Sequence, residues 1–543
     1  MRMGLRLGLP GAGQLASSVS PLSLFASGEK GVWFDPSDMA TMYQDSLGSV
    51  PVTAMEQPVG LLLDKSANLA LGAELVPAFV ASDFTTSNCT ISVASGVVTL
   101  TATATGVTFA DLPVSNTTAW QQFTAQIRCI TAGTGGAYIS AGNGAQYTGY
   151  TAGTVFTPIS GVYNRGVNHT IRVRLDAASI GDQAQFQLIS LKSLAGNHAS
   201  QATSTSRPVL SARYNQLLKT EDFSSSTNWP NVGGVNTRTS GFTAPDGSNT
   251  AWQIVLGGMN YEFRSPGGGL EAGLLHSAWI KGTAGETLWT TAYGNAASIL
   301  TFTGDWQYIS SPTTVFTYMY FGAYSGSTAR TFYLWHPDAR KADDSAKIPA
   351  YQRVDTATSY DTAGFPPYLK FDGVDDNLAT SLINLTGTDK ATIWTGYRCD
   401  LAAATYGMVS EYGAGDATSG LFALRDATTG NFGVGALGAR SYSNMSALPR
   451  LLTTVFMADR AGTTAATEMP VTNVNGAVPT QTLVYNGGCT GNFTSEILHI
   501  GDRNGTTYRL KGRIYGIILR GAASTADQIA AMEAYMNGKI GAY

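Results

Sequence analysis

Apolar and polar positions alternate with period two through most of this chain. The stretch TISVASGVVTLTATATGVTFADL (90–112) sets small polar residues against valine, leucine and phenylalanine, with breaks at glycine, and HTIRVRL and QAQFQLISL repeat the pattern further on. Such alternation marks strands that bury one face. A second series starts near Asn215 in NQLLKTEDFSSSTNWP, passes through HSAWIKG, GDWQYISS and TYMYFGAYSG, and closes on RTFYLWHPDARK. Its turn signals, Pro245-Asp246-Gly247 among them, come at the spacing of a β-sandwich. A third series runs from YLKFDGVDDNLATS to RLKGRIYGIILRG. Each block holds roughly 120 to 190 residues, a normal domain size. Only the extreme C-terminus predicts a helix. Ser524 and Asp527 stand in capping-box spacing, Ile529, Met532 and Met536 follow at i, i+3 and i+7, and Gly538 can take the left-handed stop. The predicted fold is all-β: several antiparallel β-sandwiches and one short C-terminal helix.

Composition supports this. The chain has 543 residues, 43% hydrophobic and 13% charged, with 62 glycines. That is ample for several cores and argues against disorder. A net charge of −4, with no basic run interleaved with aromatics, excludes a phosphate-tracking surface, so no nucleic-acid partner is expected. No stretch of about 18 apolar residues is present, so no membrane insertion is expected. Arg6, Pro10, Gly11 and Gly13 interrupt the apolar region that a signal peptide needs, and residues 1–28 read instead as a flexible arm. Cys89, Cys129, Cys399 and Cys489 lie far apart without metal-ligand spacing and read as isolated thiols. Asn-x-Ser/Thr triplets at Asn88, Asn116, Asn168 and Asn384 are what a Thr-rich and Asn-rich chain produces by chance.

Candidate chemistry is sparse. The five histidines, His169, His198, His276, His336 and His499, fall in different blocks without a neighbouring nucleophile motif. A glycosidase needs two carboxylates across a cleft, for which Glu411 and Asp416 are candidates. FDGVDDN offers Asp372, Asp375, Asp376 and Asn377, hard oxygen ligands of the kind calcium takes; the competing reading is an Asx-bonded hairpin turn with solvated charges. GDRNGTTY (501–508) presents Asp502, Arg503 and Asn504, able either to hydrogen-bond sugar hydroxyls or to close a tight turn at Asn504-Gly505. Exposed aromatic rings would serve as sugar platforms, but Trp33, Trp229 and Trp335 sit in strand contexts and read as core.

YLKFDGVDDNL (368–378), taken with GRIYGIILRGAASTADQIAAMEAYMNGKIG, resembles the laminin-G/concanavalin-A-like lectin sandwich of many bacterial and phage proteins. The other pieces that the compact family form places together are GVWFDPSD (31–38), LDKS (63–66) and GNHASQATSTSRPVL (196–210), here separated by long segments. The resemblance implies one lectin-like sandwich written in three pieces, 29–66, 196–213 and 353–543, after an arm at 1–28. Two inserted jelly rolls, 67–195 and 214–352, begin with LGAELVPAFVASDF and NQLLKTEDFSSSTNW and look like carbohydrate-binding modules of phage tail and virion proteins. Insertion into a surface loop is cheap because closure entropy grows slowly with length.

The same resemblance implies a non-enzymatic virion structural protein, assembled in the host cytoplasm, of the tail-fibre, receptor-binding or decoration type. Its expected partners are other virion proteins through the arm, host-surface glycans, and further copies of the chain, with a trimer preferred. Asp502, Arg503 and Asn504 are the expected glycan contacts, and Asp375, Asp376 and Asn377 the expected ligands should calcium bind; no other cofactor is expected. A capsid-associated or scaffold-like component without a ligand is the alternative. A capsule-degrading glycosidase stands behind both, since the Glu-x-Asp-x-x-Glu strand of hydrolytic relatives is missing.

Overall fold

A computed structural model describes residues 19–541 except 26–28, 115–119, 131–135, 142–148, 165–168, 267–269, 272, 293–297, 313–315, 324–328, 401–405, 414–421, 428–430, 437–438, 445–450, 460–470, 481 and 487–490. Cys489, Asp416, Asn116, Asn168 and most of the arm therefore lie outside the described residues.

The fold is all-β, built of antiparallel sandwiches. In the first, an eight-stranded sheet runs Gln57–Pro58, Val209–Ser211, Tyr368–Asp372, Lys511–Arg520, Lys390–Cys399, Leu451–Asp459, Val471–Val474, and Gly31–Phe34 also pairs with Lys511–Arg520. Gly31–Phe34 and Tyr368–Asp372 lie end to end on one edge of that strand: Gly31 faces Arg520, Phe34 faces Ile517, and Leu369 faces Ile514. A ten-stranded sheet covers it, and there Ala199 bridges Leu62 on one side and Thr380 on the other. Strands from widely separated parts of the chain thus share a core that includes Val32, Phe34, Leu62, Leu210, Phe371, Tyr397, Tyr412 and Ile517.

Asp64 pins these pieces together. Its buried carboxylate accepts the backbone N–H groups of Trp33, Ser66 and Asn197, each at 2.8 Å. Burial raises its pKa while these donors oppose the rise.

Residues 71–194 form a second sandwich of a six-stranded and a five-stranded sheet around Val98, Phe123, Ile127, Ile139, Val173 and Phe186. A third, of two five-stranded sheets, closes on Trp229, Phe263, Ile280, Phe321 and Phe332. The second sandwich abuts the first where Trp120, Val162 and Leu194 pack on Leu61 and Leu63, and Trp120 Nε1 donates to Ser381 Oγ at 3.2 Å.

The α-helix among the described residues, Ala526–Ile540, starts one residue later and runs further than the sequence predicts. Thr525, not Ser524, is the N-cap, because Gln528 stands at the position that completes a reciprocal capping box. Gly538 stays within the helix, and Gly541, at φ 61°, takes the left-handed stop. Met532 and Met536 bury against Trp33, Trp394 and Ile518, where Leu24 joins them. Leu22, Leu24 and Phe25 of the arm thus pack into the cluster that holds the helix, and Ser20 caps a turn over Pro21–Leu24. No helix among the described residues is long and apolar enough to cross a membrane. Cys89 and Cys129 are buried free thiols, and Cys399 is buried as well.

Candidate functional site

The hairpin 372–377 and the turn 501–509, far apart in sequence, meet at one rim of the first sandwich. Asn377 Nδ2 donates to Asp502 Oδ2 at 3.2 Å, and its side-chain oxygen accepts from Gln201. Asn377 thus faces the turn and not the neighbouring carboxylates. The acidic group is instead Asp372, Asp375 and Asp376, whose ligand oxygens lie within 4.8 Å of one another.

Each of these carboxylates already accepts a hydrogen bond. Asp372 Oδ1 accepts from the N–H of Val374 at 2.7 Å, Asp375 Oδ2 from Ser206 Oγ at 2.8 Å, and Asp376 Oδ2 from the N–H of Asp372 at 2.9 Å. Burial, with repulsion from Asp372 and Asp375, pushes the Asp376 carboxyl up to about 7. Three carboxylates supply part of the six to eight oxygens that calcium takes, and a bound divalent cation would neutralise their mutual repulsion.

Asp502 is fully buried. Arg509 reaches its Oδ2 at 2.7 Å, while its Oδ1 has no hydrogen-bond partner among the described residues. Burial outweighs Arg509 and Asn377 and holds the carboxyl up to about 6. Its work is to hold the turn from inside, so it offers no surface to a ligand. Arg503 Nε lies 3.2 Å from Glu411 Oε1, and the guanidinium sits over the Tyr508 ring at 5.5 Å. Asn504 is exposed at φ 51° in the turn, so only Arg503 and Asn504 of the three keep exposed surface. Glu411 is 1% exposed and stands opposite His499 in the sheet.

Sequence reasoning misses the aromatic surfaces. In the third sandwich, Phe332 and Leu334 point into the core, so Tyr333 and Trp335 point outwards by alternation. Register places Phe242 opposite Ala251, Trp335 opposite Trp279, and Trp279 opposite Tyr308. One transverse line thereby crosses the strands Asn236–Phe242, Ala251–Leu256, Arg330–Lys341, Leu274–Gly282 and Gln307–Pro312, with a ring on each except the second, where Ala251 stands. Tyr333 and Trp306 flank it. Trp335, Phe242, Trp279 and Trp306 form a cluster separate from the sandwich core; Trp335 is 9% exposed beneath its neighbours, and Tyr308 is 46% exposed. Trp335 is thus buried, as is Trp229, but on the outer face. The signal in the sequence is that both parities of TFYLWH are apolar.

The second sandwich carries a smaller row on its five-stranded sheet: Tyr150 faces Tyr138, Tyr138 faces Arg174, and Arg174 faces Phe109. Its arginines are satisfied, Arg172 by Asp111 in a bidentate pair at 2.6 Å and Arg174 by Asp176.

A cavity of about 560 Å³ lies where the third sandwich meets the first, lined in part by Glu56, Arg213, Glu271, Lys341, Asp400 and Arg513. Lys341 pairs with Glu271 and lies 3.5 Å from Asp400. These charges join the two bodies.

No family model matches the chain, and no curated protein matches it in sequence. Similar solved structures include the N-terminal CBM22-1–CBM22-2 tandem domain of Paenibacillus barcinonensis Xyn10C, at 11% identity over 53% of this chain and 100% of that one, with a TM-score of 0.25. Another is a truncated AlyQ with CBM32 and alginate lyase domains, at 10% identity over 53% of this chain and 95% of that one, with a TM-score of 0.20. Likenesses this small bear on neither fold nor ligand.

Proposed function

We propose that the protein is a non-enzymatic display component of a phage particle, of the tail-fibre, receptor-binding or decoration type, whose sandwiches contact host-surface glycans. The observation that carries the glycan reading is the set of partly exposed rings Phe242, Trp279, Tyr308, Tyr333 and Trp306 that surround the buried Trp335. Flat aromatic faces beside a few polar groups suit the apolar faces of sugar rings, and a contiguous aromatic patch on a soluble protein is costly unless something covers it. Five strands about 4.8 Å apart give a row of about 19 Å, long enough for several sugar rings. The virion assignment rests on the resemblance of GVWFDPSD, LDKS, GNHASQATSTSRPVL and KFDGVDD to phage lectin-like sandwiches, as do the arm's docking to another virion protein and the trimer.

The non-enzymatic reading draws support from Glu411, a described carboxylate of the type a glycosidase uses, which lies buried beneath Arg503.

The test is affinity electrophoresis of the intact chain through gels containing polysaccharides. Retardation that Trp279→Ala reduces about tenfold or more is the expected result, given the area that one indole buries. Migration that no polysaccharide alters would favour the ligand-free virion component, and release of reducing sugar would favour the glycosidase.

A further inference from the structure

Building on the glycan reading above, we infer that the aromatic row takes a polysaccharide bearing carboxylated sugars, with Lys281 contacting a carboxylate. Lys281 follows Trp279 by two residues and so shares its outward face. It stands directly opposite Tyr333, and Trp306 lies one position beyond the Ile280–Gln307 pair, on Lys281's other side. One ammonium is therefore framed by an indole on its own strand and by a ring on each neighbouring strand.

The other charges nearby are engaged or turned away. Glu262 and Arg264 pair at 3.3 Å, Glu286 lies 3.9 Å from Arg330, and Asp338 holds Arg340. Glu221 lies 3.3 Å from His336. Asp305, on the turn before Trp306, is exposed and makes no ion pair with Lys281. The segments of this sandwich outside the described residues, 267–269, 272, 293–297, 313–315 and 324–328, contain no charged side chain at all. Lys281 is thus a partly exposed cation without a carboxylate partner among the described residues, on an aromatic face whose nearest exposed charge is Asp305 at the turn, which does not pair with it.

Charge complementarity decides the occupant. A neutral glycan offers this ammonium only hydroxyl acceptors, which make weaker bonds with it than a carboxylate does. A densely sulfated or phosphorylated polymer calls for several cations or the planar fork of arginine. One compact ammonium beside stacked rings suits one carboxylate beside a sugar face. The arginines of the second sandwich's row, already closed by Asp111 and Asp176, lack this feature.

The experiment runs the intact chain and the Trp279→Ala and Lys281→Gln variants through gels containing alginate, hydroxyethylcellulose or dextran sulfate, at low and high salt. The intact chain should be retarded most by alginate, with a response that salt weakens. Lys281→Gln should lose about fivefold in alginate and nothing in hydroxyethylcellulose, the effect of one partly exposed charge contact. Equal retardation of Lys281→Gln and the intact chain in alginate would overturn the inference. So would stronger retardation by dextran sulfate than by alginate. If Trp279→Ala weakens binding in hydroxyethylcellulose while Lys281→Gln changes nothing in any gel, the glycan reading survives and this inference falls. If Trp279→Ala changes nothing, the glycan reading itself falls.

Discussion

Asp376→Asn should stabilise the first sandwich above neutral pH and leave it unchanged in acid. In the folded chain the Asp376 carboxyl keeps its proton up to about pH 7, against 3.8 for an unperturbed group. The folded state therefore binds an extra proton between those values, and its advantage is complete below pH 3.8 and lost as pH rises through 7. Three pH units set a ceiling of about 4 kcal/mol. Water reaching the hairpin past the exposed Asp372 reduces this to about 2 kcal/mol. Asparagine keeps an oxygen to accept the Asp372 N–H and carries no charge to repel Asp372 and Asp375. The assay is differential scanning calorimetry, which separates the transitions of a multi-domain chain. At pH 8 the variant's transition should rise by about 4–8 °C, and at pH 4 the two should coincide. Millimolar calcium at pH 8 should raise the intact chain's transition more than the variant's, since the cation would relieve the same repulsion. A variant that melts lower at pH 8, or by the same interval at both pH values, would refute the account of Asp376 as a carboxyl strained by burial and like charge.

Two further perturbations test how the pieces hold together. Asp64→Ala leaves the buried N–H groups of Trp33, Ser66 and Asn197 without their acceptor. It should cost about 3 kcal/mol or more, read from the urea midpoint; a loss below about 1 kcal/mol would mean that water replaces the carboxylate. Residues 353–543 expressed alone lack Gly31–Phe34 and Val209–Ser211, which pair with Lys511–Arg520 and Tyr368–Asp372. They should bind a hydrophobic dye and show little amide-exchange protection, and full protection would sink the idea of one cooperative unit in three pieces.

What the sequence discloses depends on the range of the interaction. Period-two alternation is local, so the strands of 90–112 and 330–341 are legible from residue type alone. The helix is legible as well, but its ends shift because STADQ offers two capping hydroxyls and the tail offers glycines at both 538 and 541, and only the reciprocal Thr525–Gln528 bonds decide. Contacts between distant segments are not local. Nothing in FDGVDDN says that Asn377 turns to Asp502, so the metal and glycan candidates read as two sites when they share one rim. By sequence Asp502 reads as a turn residue open to sugar hydroxyls. Its burial follows from Arg509, seven residues on, folding back over it. The aromatic row is half legible: HSAWIKG, GDWQYISS and RTFYLWHPDARK each show an outward ring, but only strand order lines up Trp335, Trp279 and Tyr308.

The joint between the third sandwich and the first bears on how such a row could act. Arg398 lies 2.7 Å from Asp343 and from Asp400 and 3.4 Å from Asp344, and Arg513 lies 3.0 Å from Asp344. Arg513 also stacks over Tyr214 and Tyr368 at 4.8 and 4.7 Å. A buried ionic network of this kind adds little net stability, since desolvation offsets most of its attraction. It does make misplacement costly, because a shifted joint leaves charges buried and unpaired. A greasy interface could slide; this one has a single register. The aromatic row is therefore held at a fixed angle to the first sandwich, and copies assembled as proposed above would hold their rows in one fixed geometry. For weak single sites that alignment sets the effective concentration, and with it whether avidity develops at all.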